Sequence, residues 1–182
     1  MDTKTGTLLS KFKGSLSLWL TLALAVGLVI LFDVKGIQFY LVPSDSMDPT
    51  LMRSDYIGGF EVEPDELERG DIVVFSGATY DEDFYVKRVV GLPGDRLAIR
   101  KGVVYIDGRK LEEPYVSHRG KENFRAVKIP DGRIFIMGDN RTNSIDSRKF
   151  GPVSMRQVEA RISFIYNPIS RMGIIENKRP SF

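Results

Sequence analysis

The sequence predicts a mainly β fold, made of coiled antiparallel sheets, preceded by one N-terminal transmembrane helix. Two observations lead to this prediction. Residues 14–32 carry no charge and consist mostly of leucine, alanine, valine and isoleucine. Beyond them, short β-type runs alternate with turn residues, and helical periodicity is weak. We therefore expect a short N-terminus (1–13), an anchor (14–32) and one globular domain (33–182).

The uncharged segment is long enough to cross a bilayer. At about 1.5 Å per residue it spans about 28 Å, close to the hydrocarbon thickness of about 30 Å. Lys4, Lys11 and Lys13 precede it, and this excess of positive charge predicts a cytoplasmic N-terminus and an extracytoplasmic domain. A cleaved signal peptide is the alternative, because Ala23-Leu24-Ala25 has the small-x-small form. That triplet lies in the middle of the apolar run, where a cleavage site does not belong.

Composition excludes several classes of protein. The 182 residues carry a net charge of +2 with acids and bases interleaved, so we expect no nucleic-acid partner. The absence of cysteine excludes disulfides and thiol nucleophiles. A single histidine, His118, argues against a Ser-His-Asp hydrolase and against a metal site with several histidine ligands.

The domain is expected to be built from short strands. A hairpin turn is indicated by Asp107-Gly108, and one short helix by residues 154–160 with Ser154 as its cap. We expect a small accessory β-region at about 96–137. The β-type runs are 71–75, 84–90, 103–106, 134–137 and 162–166.

Lys87 stands out because it lies inside an apolar strand. Strand alternation places Tyr85, Lys87 and Val89 on one face. An ordinary edge-strand lysine is the simpler interpretation. On a covered face, however, desolvation would disfavour the ammonium and lower the lysine pKa, which makes the amine a usable general base.

A candidate nucleophile follows the anchor directly. Ser44 and Ser46 lie between Pro43 and Pro49, and the two prolines stiffen the segment. A serine hydroxyl attacks poorly until a positioned base takes its proton. Alone, this motif is equally typical of a proline-bounded turn.

Taken together, four sequence blocks resemble the bacterial type I signal peptidases, also called leader peptidases. The resemblance runs from Val42 to Pro152, and the organelle enzymes of mitochondria and chloroplasts are close relatives. The segment between Asp95 and Met137 is short for the family. The blocks are Pro43 to Leu51, Arg69 to Val73, Lys87 to Asp95 and Gly138 to Arg148.

The resemblance implies a role for each matching polar residue. Ser46 would be the nucleophile and Lys87 its general base, while Ser44 would donate to the oxyanion hole. Ser144 would hydrogen-bond the lysine amine, and Asp146 with Arg148 would form an ion pair that supports the loop. Asp45 stands where family members often carry glycine, and we expect its carboxylate to point toward solvent.

The resemblance also implies cleavage of exported precursors after small residues at −1 and −3, with the substrate bound as an added strand. No cofactor and no metal are expected, because the lysine and the oxyanion donors cover the chemistry. The expected partners are signal-peptide-bearing precursors and the lipid bilayer of the inner (plasma) membrane. We expect the enzyme to be a monomer. Ordinary core packing is the alternative for each pocket position. The candidate pocket residues are Tyr40, Val42, Met47, Leu51, Ile57, Tyr85 and Val86.

Two other functions remain open from sequence. One is a specialised processing protease, such as an enzyme that matures a pilin. The other is a membrane-tethered scaffold that binds exported segments without cutting them. The presence of Ser46, Lys87 and Ser144 together argues against the scaffold, because binding needs none of the three.

Overall fold

The computed structural model describes residues 17–27, 36–76, 84–176 and 179–182. Contacts divide the chain into two units, residues 1–37 and 38–182. In the first unit, residues 17–27 are helical. The predicted anchor also includes 14–16 and 28–32, which lie outside the described residues. Within the described ranges, no helix is both long and apolar enough to cross a membrane.

Two antiparallel sheets account for the strands of the second unit, which confirms the mainly β prediction. The larger sheet has the order β1-β2-β11-β3-β4-β9-β10, and β12 pairs with β11. Its strands are β1 (Ile37–Leu41), β2 (Tyr56–Phe60), β3 (Ile72–Ser76), β4 (Phe84–Gly91), β9 (Arg133–Met137), β10 (Val153–Ser154), β11 (Val158–Asn167) and β12 (Gly173–Ile174).

The centre of this sheet is covered on both faces. In β4 every residue after Phe84 is buried, as are the first four residues of β3. Side chains of a strand alternate between its two faces, and the two faces of β4 pack in different apolar clusters. Tyr85 and Val89 pack in one apolar cluster, whereas Val86 packs in the other. The face that Lys87 shares with Tyr85 and Val89 is therefore lined by apolar side chains.

The second sheet has the order β7-β6-β5-β8, and its Leu97 and Val104 pack in a third apolar cluster together with Val90 and Phe135 of the larger sheet. The predicted hairpin is confirmed, since Asp107 and Gly108 connect β6 to β7 with positive φ angles of 51° and 82°. Two consecutive positive φ values are typical of the tight turns that join antiparallel strands. The strands are β5 (Arg96–Arg100), β6 (Val103–Ile106), β7 (Arg109–Lys110) and β8 (Phe124–Lys128).

The helix predicted at residues 154–160 is wrong beyond its first turn. Ser154 does cap a helical turn, with a full capping box to Gln157, but the turn is a 3-10 helix over Met155–Gln157. From Val158 onward the chain enters β11. Alternating burial of Ala160 and Ile162 against the flanking strands decides the outcome, because tertiary packing overrides weak local helix propensity.

Gly59 supplies a test of how closely the strands pack. A Cβ atom there would lie 2.2 Å from the carbonyl oxygen of Arg161 on β11. We expect Gly59→Ala to lower the free energy of unfolding by about 1–3 kcal/mol, since overpacking forces the backbone apart. Urea unfolding measures the change. Gly173→Ala is the control, because a Cβ at Gly173 meets no atom within 4 Å; equal stability of both variants would contradict the packing.

Candidate active site

Lys87 lies in the interior of the larger sheet, not at its edge. It is carried by β4, which pairs with β3 on one side and β9 on the other, and it faces Val73 in the register. Only 3% of the residue is exposed. Its Nζ atom is 5.6 Å from the centre of the Tyr85 ring. Strand β4 therefore places the Lys87 amine where almost no water reaches it.

Ser46 meets this amine. It lies in the turn that follows β1, is 6% exposed, and its Oγ is 2.8 Å from Lys87 Nζ. The amine also donates to the carbonyl oxygen of Val86 at 2.9 Å. Met47 and Leu51 anchor the turn in the apolar cluster that includes Val86. These apolar anchors hold the hydroxyl at a fixed distance from the amine.

The two neighbours of Ser46 in the same turn differ in orientation. Ser44 is half-buried, and its hydroxyl donates to Ser46 Oγ at 3.2 Å. Asp45 forms a 3.3 Å ion pair with Arg53, and 48% of its side chain is exposed. Its carboxylate therefore points to solvent and to Arg53, as the sequence analysis expected.

A polar loop over residues 138–148, which follows β9, packs on the backbone of this turn. The Asn140 N–H donates to the Ser46 carbonyl oxygen at 3.0 Å. Gly138 makes the closest approach: a Cβ there would lie 2.4 Å from that same oxygen and 2.5 Å from Ser144 Oγ. Only glycine fits at this crossing.

Ser144, Asp146 and Arg148 form a hydrogen-bond network inside the polar loop. Asp146 accepts from the Ser144 hydroxyl at 2.8 Å and from Arg148 Nε and Nη2 at 2.8 and 2.7 Å. The Gly138 N–H donates to it as well. Desolvation opposes ionisation of Asp146, but the hydrogen bonds and charge of Arg148 outweigh it, so the pKa of this carboxyl lies below its ordinary value.

Two further buried ion pairs were missed in the sequence analysis. Arg88 binds Asp139 through two hydrogen bonds of 2.9 and 2.7 Å, and Arg141 binds Glu113 through bonds of 3.1 and 2.6 Å. An arginine inside the valine-rich run of β4 could have signalled the first pair. Glu113 sits in a hydrophilic connection, where nothing in the sequence distinguishes a buried carboxylate from an exposed one.

The seven candidate pocket residues fall into two groups. Tyr85 belongs to the cluster of Val89, while the others pack in or against the second apolar cluster. Met47, Leu51 and Ile57 expose no surface, so they support the turn and strands from behind. Tyr40 is partly exposed, and its hydroxyl donates to Glu159 at 3.3 Å. A role in lining a substrate pocket stays a prediction for the whole set: Tyr40, Val42, Met47, Leu51, Ile57, Tyr85 and Val86.

The site thus combines a buried serine and lysine in contact with a supporting polar loop. Comparison with known proteins shows which family shares this sequence. The sequence profile described as signal peptidase, peptidase S26, matches residues 15–167. The chain belongs to this family. The match covers the strand of Lys87, the turn of Ser46 and the whole polar loop.

Two relatives from Bacillus agree with the family assignment. Signal peptidase I S of Bacillus subtilis (strain 168) is 36% identical over 173 residues, covering 82% of this chain and 89% of that protein. Signal peptidase I of Bacillus licheniformis is also 36% identical and covers 88% of this chain and 93% of its own. A crystal structure of a signal peptidase I from Enterococcus faecalis V583 is 32% identical, with a TM-score of 0.47, over 53% of this chain and 96% of that one.

The lowered pKa of Asp146 predicts how its contribution to stability varies with pH. An unfolded aspartate titrates at about 3.9, so the ionised network stabilises the fold fully above that pH, and this stabilisation is lost as pH falls through the lower folded pKa. We expect Asp146→Asn to lower the free energy of unfolding at neutral pH. The deficit relative to the unsubstituted protein should shrink as pH falls below about 4.

Urea unfolding at a series of pH values measures this difference. Asp45→Asn is the matched control, because its exposed pair with Arg53 is expected to contribute about 0–1 kcal/mol at most. A deficit for Asp146→Asn that stays constant into strongly acidic solution would contradict the assignment.

Proposed function

We propose that the chain is a membrane-anchored serine endopeptidase that removes N-terminal signal peptides from exported precursors, with Ser46 as nucleophile and Lys87 as general base. The 2.8 Å contact between Ser46 Oγ and Lys87 Nζ, both nearly excluded from water, is the observation that carries the proposal. Both Bacillus relatives are signal peptidases of type I, which supports the substrate class.

Acylation is the first step of the proposed reaction. The neutral amine of Lys87 accepts the proton of the Ser46 hydroxyl while Oγ bonds to the scissile carbonyl carbon. Burial of the amine favours the neutral form, because an ammonium loses its hydration there. The resulting lysine ammonium gives its proton to the leaving amine as the peptide C–N bond breaks. The signal peptide remains as an ester on Ser46.

Deacylation reverses the roles. Lys87, neutral again, takes a proton from a water molecule, whose oxygen attacks the ester carbonyl. The proton then returns to Ser46 as the ester C–O bond breaks, and the signal peptide leaves as a carboxylic acid. One base therefore serves both steps, so no cofactor is required by this chemistry.

Ser44 is proposed as the side-chain donor of the oxyanion hole, beside the Ser46 N–H. Its hydroxyl is already 3.2 Å from Ser46 Oγ, so a small rotation about its side-chain bond turns it toward an oxyanion formed at the neighbouring carbon. A single donor of this kind is worth about 3–4 kcal/mol in comparable hydrolases.

Ser144 is proposed to orient the amine. Its hydroxyl donates to Asp146, which leaves the oxygen lone pairs as acceptors for the lysine. Asp146 and Arg148 fix the loop that carries it. In this assignment the ion pair acts through Ser144 and does not touch the substrate.

The substrate is proposed to bind extended beside the Ser46 turn and β4, with small residues at −1 and −3. Shallow apolar pockets select such residues by excluding larger side chains. Residues 14–32 are proposed as a single-pass anchor in the inner (plasma) membrane, with the N-terminus cytoplasmic. An anchor raises the effective concentration of a monomeric protease at the surface where precursors emerge.

Loss of either member of the dyad should abolish cleavage. We expect Ser46→Ala and Lys87→Ala each to lower kcat at least about a thousandfold, because nucleophile and base act as one unit. The measurement is cleavage of a precursor with alanine at −1 and −3, using the full-length protein in detergent. Ser170→Ala and Lys128→Ala, both exposed, are the controls. Substantial cleavage by either dyad variant would refute the assignment.

Use of a lysine base predicts an acid limb in the pH–rate profile. Only the neutral amine accepts the serine proton, so kcat/KM should rise with pH and fall tenfold per pH unit on the acidic side. Circular dichroism at each pH separates this titration from acid unfolding. A profile that stays flat from mildly acidic to mildly alkaline pH, while the protein remains folded, would count against Lys87.

A further inference from the structure

The connection between β7 and β8, residues 111–123, lies across the polar loop. We call this connection the strap. The His118 carbonyl oxygen accepts from the Arg141 N–H at 3.0 Å, and Glu122 forms an ion pair with Arg148. The strap thus contacts the polar loop both at its middle and at its end. Its most buried charged residue is Glu113.

Glu113 is the meeting point of three side chains. Its carboxylate, which is 0% exposed, accepts from Arg141 at 3.1 and 2.6 Å and from the Tyr115 hydroxyl at 3.2 Å. Arg119 approaches it to 3.7 Å from a more exposed position. A buried carboxylate is tolerated only where it is paired and hydrogen-bonded. These hydrogen bonds stabilise the buried carboxylate of Glu113, and they also fix the positions of Arg141 and Tyr115.

One arm of this arrangement leads to the serine. Arg141, bound at two nitrogens by Glu113, donates from Nε to the Gly138 carbonyl oxygen at 2.9 Å. Gly138 packs directly on the Ser46 carbonyl oxygen, with space for no side chain between them. Three successive contacts therefore connect Glu113 to the nucleophile turn: Glu113 with Arg141, Arg141 with Gly138, and Gly138 with Ser46.

The other arm leads to the lysine. The Tyr115 ring lies 4.0 Å from the Arg88 guanidinium carbon, and Arg88 is the neighbour of Lys87 on β4. Arg88 is also bound to Asp139, next to Gly138. The strap therefore touches both the strand that carries the amine and the loop that supports the hydroxyl.

We propose that Glu113 is a positioning residue for the Ser46/Lys87 site, holding the nucleophile turn and β4 in register through Arg141 and Tyr115. The inference rests on the proposed serine–lysine reaction. In this proposal the small accessory sheet supports the site, because its strands β7 and β8 fix the two ends of the strap. Glu113 itself touches neither the substrate nor the dyad.

Glu113→Gln tests the proposal in the full-length protein with a precursor substrate. The substitution keeps the shape of the side chain but leaves the Arg141 charge without its carboxylate. We expect kcat per folded molecule to fall about tenfold to a hundredfold, since misplacement of about 1 Å has effects of that size. KM should change less than about threefold. Glu112→Gln is the matched control: it is adjacent, exposed and paired only on the surface with Lys110, and its kcat should be unchanged.

A double-mutant cycle distinguishes a positioning role of Glu113 from a purely structural one. If Glu113 acts on the loop that carries Ser144, Glu113→Gln combined with Ser144→Ala should lower kcat by less than the product of the single effects. Independent effects, or an unchanged kcat per folded molecule with only a lower Tm, would overturn the proposal. Circular dichroism supplies the folded fraction.

Glu113→Asp is the second variant in case Glu113→Gln does not fold. It keeps the charge but is one methylene too short for both bonds to Arg141, so the same fall in kcat is expected. Failure of both variants to fold would make Glu113 a determinant of folding and refute positioning. Ser46→Ala, assayed in parallel, keeps the outcomes distinct: if it still cleaves, the serine–lysine reaction itself has failed.

Discussion

The Lys87 amine and the Ser46 hydroxyl lie 2.8 Å apart, and both residues are almost completely buried. The rest of the domain is built around this contact. A lysine in solvent is a cation and cannot take a proton from serine. The same side chain in a dry position loses the hydration that stabilises its charge. The domain must therefore bury Lys87 while leaving the Ser46 hydroxyl within its reach.

Two kinds of packing satisfy that requirement. Apolar clusters cover both faces of β4, and one of them also holds Met47 and Leu51, which follow Ser46 in its turn. Behind the turn, the polar loop is held by buried ion pairs, with Arg148 on Asp146 and Arg141 on Glu113. Apolar packing fixes the distance from amine to hydroxyl, while the ion pairs fix the loop that presses on the Ser46 carbonyl.

The sequence predicted features that depend on local pattern, and it missed those that depend on distant partners. The hairpin at Asp107-Gly108 follows from backbone angles that few residues adopt, and β4 follows from its apolar run. The helix at 154–160 failed because a strong local cap, Ser154, precedes residues whose burial is decided by other strands. The contact between Ser46 and Lys87 was expected from family resemblance, since two residues separated by 41 positions in sequence carry no local signal of proximity. Glu113 had no signal at all, because its burial depends on an arginine in another loop.

The proposed role of Lys87 as a base depends on its ionisation state, which can be measured. Nitrogen-15 NMR of the Lys87 side chain, assigned by comparison with Lys87→Ala, reports whether Nζ is an amine or an ammonium at each pH. We expect the fraction of neutral amine to rise with pH in step with kcat/KM, and the neutral form to dominate over the pH range in which cleavage is fastest. An ammonium signal across that whole range would contradict it, because a protonated lysine cannot accept the proton of Ser46.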